Sequence, residues 1–313
     1  MKDIYKLMWH PLLMSFFVFI VQTGYTWSQS QVEVQILGIA QDAGYPQIGC
    51  EDSCCLHVWM NPQLRKSPVC MGIYDLESQK SWMVEATPDL KTQWQTHVDR
   101  TGKIPDGFLI THAHTGHYTG LMQLGREMMN SHQMPVYVLP RLAGFLKKNG
   151  PWDQLTTLEN INVLELIPDS IFRLSDNVTC LAMQVPHRDE YSETAGFIFT
   201  GPSKKVLFIP DIDKWAKWER NIRSIVQEVD YAFLDGTFFR NGELRNRDMS
   251  QIPHPFVSES VELFSSLPVA DRQKIYFIHF NHTNPLIRGD REAIEFVKAH
   301  QMNVAEEGMV IRL

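Results

Sequence analysis

Three imidazoles fall within six positions of Thr111-His112-Ala113-His114-Thr115-Gly116-His117, directly after the apolar run Gly107-Phe108-Leu109-Ile110. Neutral ring nitrogens make histidine the commonest metal-ligating side chain, and a strand that stops abruptly in a loop can turn several of them toward one point. The alternative is a group of surface histidines with no shared task. Against it stand four later apolar runs that also end in ligand-type residues. Cys180-Leu181-Ala182-Met183-Gln184-Val185 precedes His187, and Val206-Leu207-Phe208-Ile209 precedes Asp211. Tyr231-Ala232-Phe233-Leu234 precedes Asp235, and Tyr276-Phe277-Ile278 precedes His279. A lone aspartate after a strand is more often a turn former. Five strands that each deliver such a group predict convergence on one rim, held by rigid elements. Imidazoles and a carboxylate suit Zn²⁺, and with one position left open the ion lowers the pKa of water to about 7, giving a hydroxide nucleophile.

The elements that must position these groups alternate along the chain. Val32-Glu33-Val34-Gln35-Ile36-Leu37 has period two, and Ser81-Trp82-Met83-Val84-Glu85 and Lys274-Ile275-Tyr276-Phe277-Ile278 have strand length. Leu121, Leu124 and Met128 recur at helical spacing between Gly116 and Asn130, Val257, Val261 and Phe264 do so over 256–267, and 291–300 reads as a further helix. Interleaved strands and helices predict an α/β layered architecture. Glu85 and Asp89 are candidates for a buried acidic group supporting the ligands.

The 313 residues carry a formal charge of −7, which argues against a nucleic-acid binder and for small-molecule partners. Arg188 and Arg240 follow site elements and suit an anionic substrate. Lys2 and Lys6, the apolar stretch 12–21 and then small or polar residues through Ser30 have the shape of a secretory signal. The expectation is a signal peptide over 1–30, one catalytic domain over 31–313, a secreted or periplasmic location and no stable membrane anchor. An uncleaved anchor is the alternative, although the apolar stretch is shorter than the roughly 20 residues a bilayer needs.

With these residues in view, the chain resembles the metallo-β-lactamase-fold hydrolases, whose motif is His-x-His-x-Asp-His followed by a later His, an Asp and a final His. The resemblance implies an αββα sandwich. It also implies that His112, His114 and His187 hold a first metal, that His117 and His279 hold a second, and that Asp211 bridges them. Gly116 stands where that family has an aspartate, so the second site should be weaker and completed by water or by Asp213; a degenerate, inactive site is the alternative.

Ile278-His279-Phe280, Asp235-Gly236-Thr237-Phe238 and His254 resemble elements of tRNase Z and related phosphodiesterases, which implies Asp235 and His254 as a proton-transfer pair. The alternative for His254, set between Pro253 and Pro255, is a plain loop residue.

Gly49-Cys50-Glu51-Asp52-Ser53-Cys54-Cys55-Leu56-His57 resembles the cysteine-rich zinc knuckle of the phosphonate-pathway cyclic phosphodiesterase and of the coenzyme PQQ synthesis protein B family. By that resemblance Cys50, Cys54, Cys55 and His282 form a closed structural zinc site, with His57 as alternate ligand. Disulfides are the competing reading for an exported chain with five cysteines, and Cys70 and Cys180 read as core thiols. The likeness to the PQQ family also rests on Ala40-Gln41-Asp42-Ala43-Gly44-Tyr45-Pro46-Gln47, Ala86-Thr87-Pro88-Asp89-Leu90 and His279-Phe280-Asn281-His282-Thr283-Asn284-Pro285.

Three functions follow as expectations. The first is an exported zinc hydrolase, with one or two ions at the active centre plus the structural one, acting on a phosphodiester or related ester or amide; iron or manganese are alternative metals. The second is an iron-dependent oxidase or hydroxylase like the PQQ family. The third is a non-catalytic metal carrier.

Overall fold

Two seven-stranded sheets pack face to face. In the first, the strands lie in the order Val310–Arg312, Val32–Gly38, Cys70–Asp75, Lys80–Val84, Phe108–Leu109, Met134–Val138 and Ile161–Glu165. The second runs Asn303–Val304, Ile275–Ile278, Tyr231–Asp235, Lys205–Ile209, Thr194–Thr200, Thr179–Val185 and Ile171–Arg173. Each sheet has three antiparallel pairings on one side and three parallel pairings on the other. The computed structural model describes residues 32–244 and 247–313. The signal reading of residues 1–30 lies outside them. Among the described residues no helix is long and apolar enough to cross a membrane.

The layering follows from side-chain alternation. Val34, Ile36, Ile73 and Trp82 of the first sheet meet Phe197, Phe199, Phe208 and Phe233 of the second in one buried core. The helices Val257–Phe264 and Arg291–Ala299 cover the outer face of the second sheet and add Val257, Val261, Phe264 and Val297 to that core. A separate core lies on the outer side of the first sheet, where Met83, Phe108 and Val136 face Leu90 of the helix Leu90–Thr101 and Leu142 and Leu146 of the helix Pro140–Lys148. Burying such side chains supplies about 25 cal/mol per Å² of apolar surface, the main favourable contribution to folding. The αββα sandwich expected from the sequence is the fold observed.

One expected element is absent. In place of a helix over 116–130 there is a single α-turn, Thr115–Tyr118, then a 3₁₀ stretch, Thr119–Leu124, and the chain ends that run at Gly125. Leu121 and Leu124 do reach the core, but Met128 lies in the following turn and is 69% exposed. The Gly120 amide donates to the Ala86 carbonyl rather than continuing a helical ladder, so a tertiary contact overrides the apolar spacing.

Candidate metal centre

Parallel strands leave their carboxyl ends on one side of each sheet, and ligand groups emerge there. Phe108–Leu109 leads to His112, Lys205–Ile209 to Asp211, Tyr231–Asp235 ends in Asp235, and Ile275–Ile278 leads to His279. The antiparallel strand Thr179–Val185 delivers His187 to the same place.

Asp211 sits at the middle. One carboxylate oxygen, Oδ1, lies 3.1 Å from His187 Nε2, and the other, Oδ2, lies 3.3 Å from His112 Nε2, 3.8 Å from His117 Nε2 and 3.9 Å from His279 Nε2. His112, His114, His187 and Asp211 each place a ligand atom within 4.8 Å of the others. All six residues expected to hold metal are therefore gathered in one place.

The opposite nitrogens of His112, His117 and His279 have hydrogen-bonded protein partners that fix the rings. The Thr111 hydroxyl donates to Glu85 Oε1 at 2.6 Å, so it accepts from His112 Nδ1 at 2.8 Å. Glu85 Oε1 also accepts from His117 Nδ1 at 3.1 Å. In the same way the Thr237 hydroxyl donates to Asp235 Oδ1 at 2.7 Å and accepts from His279 Nδ1 at 2.9 Å. Asp213 Oδ1 faces His187 Nδ1 at 3.3 Å. His114 differs in that its Nε2 meets Glu190 at 3.1 Å, which leaves Nδ1 for a metal.

What remains is a set of buried atoms with no hydrogen-bond partner: Nε2 of His112, His117, His187 and His279, and Oδ1 of Asp211. Buried polar atoms are almost always satisfied, so five such atoms around two adjoining ligand groups fit divalent cations. Glu85 and His279 also hold left-handed backbone angles, φ +76° and +67°, which cost a non-glycine residue about 1–2 kcal/mol and recur where side chains are aimed for a purpose.

Charge in the metal-free cluster is unevenly shared. Burial disfavours the charged form of His117, but Glu85, Asp42 and Asp211 outweigh it and hold its pKa up at about 9. Burial likewise opposes the charge on His187, and Asp211 and Asp213 raise it to about 10. Burial together with His117 drives His112 well below the usual histidine range, and burial holds His279 down at about 4. Burial alone would raise the pKa of Asp211; His187, His254 and His279 pull it well below the carboxylate range.

Metal must therefore displace protons from His117 and His187. The expected result is that affinity for Zn²⁺ rises with pH, about tenfold per unit for each proton displaced, and flattens as pH passes about 9 and then about 10. Calorimetric titration in buffers of different ionisation enthalpy measures the protons released. Affinity independent of pH between 6 and 9 would contradict this electrostatic picture.

Asp235 and His254, the expected proton pair, are in contact. His254 Nδ1 lies 2.9 Å from Asp235 Oδ2 and 3.1 Å from Asp211 Oδ1, and the ring is buried rather than free in its loop. Burial lowers the pKa of His254, and the charges of Asp235 and Asp211 more than reverse this, so the ring is held above its ordinary value. Asp235 is anchored by the amides of Ile212 and Thr237.

Two expectations need correction. Asp213 does not complete the second site; it faces His187 and binds Lys217 Nζ at 2.8 Å, because the chain has already turned away two residues after Asp211. Asp89 is exposed at the start of the helix Leu90–Thr101, whereas Glu85 is fully buried behind His117 and His112. The sequence reading missed Thr111, Thr237 and Glu190. It missed Asp42 as well, whose carboxylate clusters with His117 and His279.

The cysteine cluster stands apart from the active centre. The helix Ser53–Met60 carries Cys54 and Cys55, and their sulfurs with that of Cys50 and a nitrogen of His282 lie within 4.8 Å of one another. Sulfur separations are 3.6 Å for Cys50–Cys54 and 4.0 Å for Cys54–Cys55. A tetrahedral zinc with bonds near 2.3 Å sets its sulfurs about 3.8 Å apart, so the spacing fits the metal. All five cysteines are free thiols, His57 points instead to the Ser53 carbonyl, and Cys70 and Cys180 are buried in the cores.

The Beta-lactamase superfamily domain family matches residues 82–280, the span that holds every one of these active-centre groups except Asp42. The chain belongs to the metallo-β-lactamase superfamily. Coenzyme PQQ synthesis protein B of Xanthomonas axonopodis pv. citri is 24% identical over 90% of this chain and 100% of its own length. Among solved structures, Zn²⁺-bound PqqB from Methylobacterium extorquens superposes with a TM-score of 0.75 at 18% identity, covering 90% of this chain and all of that one. A diphosphatase of the PhnP family gives 0.62 at 19% identity, covering 90% and 96%. The chain thus has the metallohydrolase fold of the superfamily and resembles PqqB along nearly all of its described length.

Proposed function

We propose that this chain is a metal-dependent hydrolase, with Zn²⁺ as its metal, acting on a phosphodiester or related ester of a small anionic molecule. The observation that carries the reading is the set of unpartnered buried atoms on His112, His117, His187, His279 and Asp211, with the rings of His112, His117 and His279 held by fixed partners on their far sides. Zinc held by these groups would polarise the ester and supply a water-derived nucleophile at neutral pH.

The protein's own contribution is positioning and proton transfer. Thr111 and Thr237 lock the tautomers of His112 and His279, so their Nε2 atoms present lone pairs without rearrangement. His254, whose pKa Asp235 and Asp211 hold above its ordinary value against the effect of burial, is placed to give a proton to a departing alkoxide. Asp235 keeps that ring in place. The site shares this arrangement of acid and imidazole with general acid catalysis elsewhere, in which such a group contributes about 10²–10⁴-fold.

Bis(p-nitrophenyl) phosphate is the test substrate. Purified protein refilled with zinc should cleave it, a chelator should abolish turnover, and His254→Ala should slow it about a hundredfold while leaving bound metal unchanged. Wild-type turnover that survives metal removal, or a His254→Ala variant as fast as wild type, would refute the respective assignments.

Likeness to PqqB along the whole of its relatives' length supports a second reading, oxygen-dependent oxidation at the same centre with iron. Ester cleavage proceeds without oxygen, so an anaerobic assay separates the two. Export and a periplasmic or secreted setting belong to the same proposal and rest on the amino-terminal sequence alone.

A further inference from the structure

The second metal position lacks the carboxylate that Gly116 cannot supply, and the fold brings another to it. Asp42 Oδ1 lies 3.6 Å from His117 Nε2, and Asp42, His117 and His279 place ligand atoms within 4.8 Å of one another. Two ligand atoms of a tetrahedral zinc at 2.0–2.2 Å stand about 3.4 Å apart, so the His117–Asp42 separation is that of a shared ion. Both Nε2 atoms are buried and unpartnered, an observation independent of the carboxylate and aimed at the same spot. We propose that Asp42 is a protein ligand of the second metal, replacing in space the aspartate absent from position 116.

Gly116 and Asp42 are complementary. The Gly116 amide donates to Asp42 Oδ1 at 3.1 Å. A Cβ at position 116 would come within 2.3 Å of the Asp42 Cα and 2.4 Å of Oδ1, far inside contact distance. A side chain at 116 and this placement of Asp42 therefore exclude each other, which explains why the glycine stands in the middle of the histidine motif. Its lack of a side chain is the space through which the carboxylate enters.

The loop bearing Asp42 is fastened to the segment bearing His279. The Gln41 amide donates to the Phe280 carbonyl and the Phe280 amide to the Ile39 carbonyl, both at 2.8 Å. Asn281 Nδ2 reaches Gln41 Oε1 at 2.5 Å. Gly44, at φ +74°, closes the turn with its amide on the Gln41 carbonyl. The carboxylate is thus preset relative to one of the two imidazoles it would join. Two histidines and one carboxylate suit zinc and iron(II) alike, so the assignment serves either metal. It rests on the metal-dependent reading above.

The test is stepwise refilling of metal-free protein with Co²⁺ or Zn²⁺, followed by cobalt absorbance and by metal analysis, with no assay of activity. Wild type should take two ions at the histidine centre beyond the one at the cysteines. Asp42→Asn keeps an acceptor for the Gly116 amide but loses the charge; its second step should weaken by more than about tenfold with the first step unaltered. Asp42→Ala, which removes the carboxylate and its acceptor together, should weaken the second step at least as much, again with the first step unaltered. An Asp42→Asn or a folded Asp42→Ala protein with wild-type binding, or a wild type holding one ion at the histidines, overturns the proposal. Wild type that binds no ion at the histidines overturns the hydrolase reading itself, a separate and recognisable result. Should Asp42→Asn fail to fold by circular dichroism, Asp42→Ala decides alone.

Discussion

Asp211→Asn should lose metal from the active centre and cut turnover of an activated phosphodiester by about a thousandfold or more. Among the described residues no other touches so many of these histidines: its two oxygens face the nitrogens of His112, His117, His187, His254 and His279 within 3.9 Å. An amide is nearly the same size but neutral, and its nitrogen would turn a donor toward rings that also offer donors when protonated. Several kcal/mol of transition-state charge stabilisation come from a bound cation, and 1.36 kcal/mol is a decade of rate, which gives the expected factor. The substitution also removes a charge that raises the pKa values of His187 and His254, so both should fall in the metal-free protein. NMR titration of the imidazoles and metal analysis read these effects. Full metal content with undiminished turnover would show that Asp211 does not bridge the site.

Cys55→Ser should lower the melting temperature by on the order of 10 °C and loosen the loop that holds His279. Loss of a structural metal is among the few single changes that cost more than about 4 kcal/mol, and in a domain of this size 1 kcal/mol moves the midpoint by about 2–4 °C. Cys55 is fully buried, and burial together with Cys50 holds its thiol up at about 12, so without metal it stays protonated and makes little use of its site. The His282 nitrogen of the cluster lies three residues after His279, and the Cys50–Cys55 segment follows the loop of Asp42; a zinc there ties both to one point. Differential scanning calorimetry with and without chelator gives the shift. Metal-stripped, denatured protein should label all five thiols without reductant. Poor labelling would instead indicate disulfides, and an unchanged midpoint in Cys55→Ser would remove the cluster from the account of stability.

Much of the centre was legible because the physics that writes it into the sequence is local. A buried strand must be apolar and a ligand must leave the sheet at its end, so runs such as Val206–Ile209 before Asp211 and Tyr276–Ile278 before His279 announce themselves. The knuckle was legible for the same reason, since its thiols are close in the chain. Asp42 was not, because it lies 74 residues before Gly116 and four residues past the end of the strand Val32–Gly38, in a loop whose direction the strand pattern does not give. The available sign was an unexplained glycine in a ligand motif, which asks where the missing carboxylate comes from. Asp213 was the nearest acid in sequence to Asp211, but proximity along a turning chain says little about direction. Thr111 and Thr237 escaped notice because a hydroxyl between a carboxylate and a ring has no spacing rule. The spacing of Leu121, Leu124 and Met128 misled because helical periodicity counts apolar positions and ignores what Gly120 and Gly125 do to the backbone.

The ligands are split by the order of the chain. His112, His114 and His117 belong to the first sheet's half, while His187, Asp211 and His279 hang from the second, and His279 follows the last of its central strands to be synthesised. Each of the two ligand groups draws on both halves, so its full set exists only once the layers are docked. A nascent or half-docked chain consequently offers an incomplete set of ligands, and the bound ion favours the state in which both layers are in register.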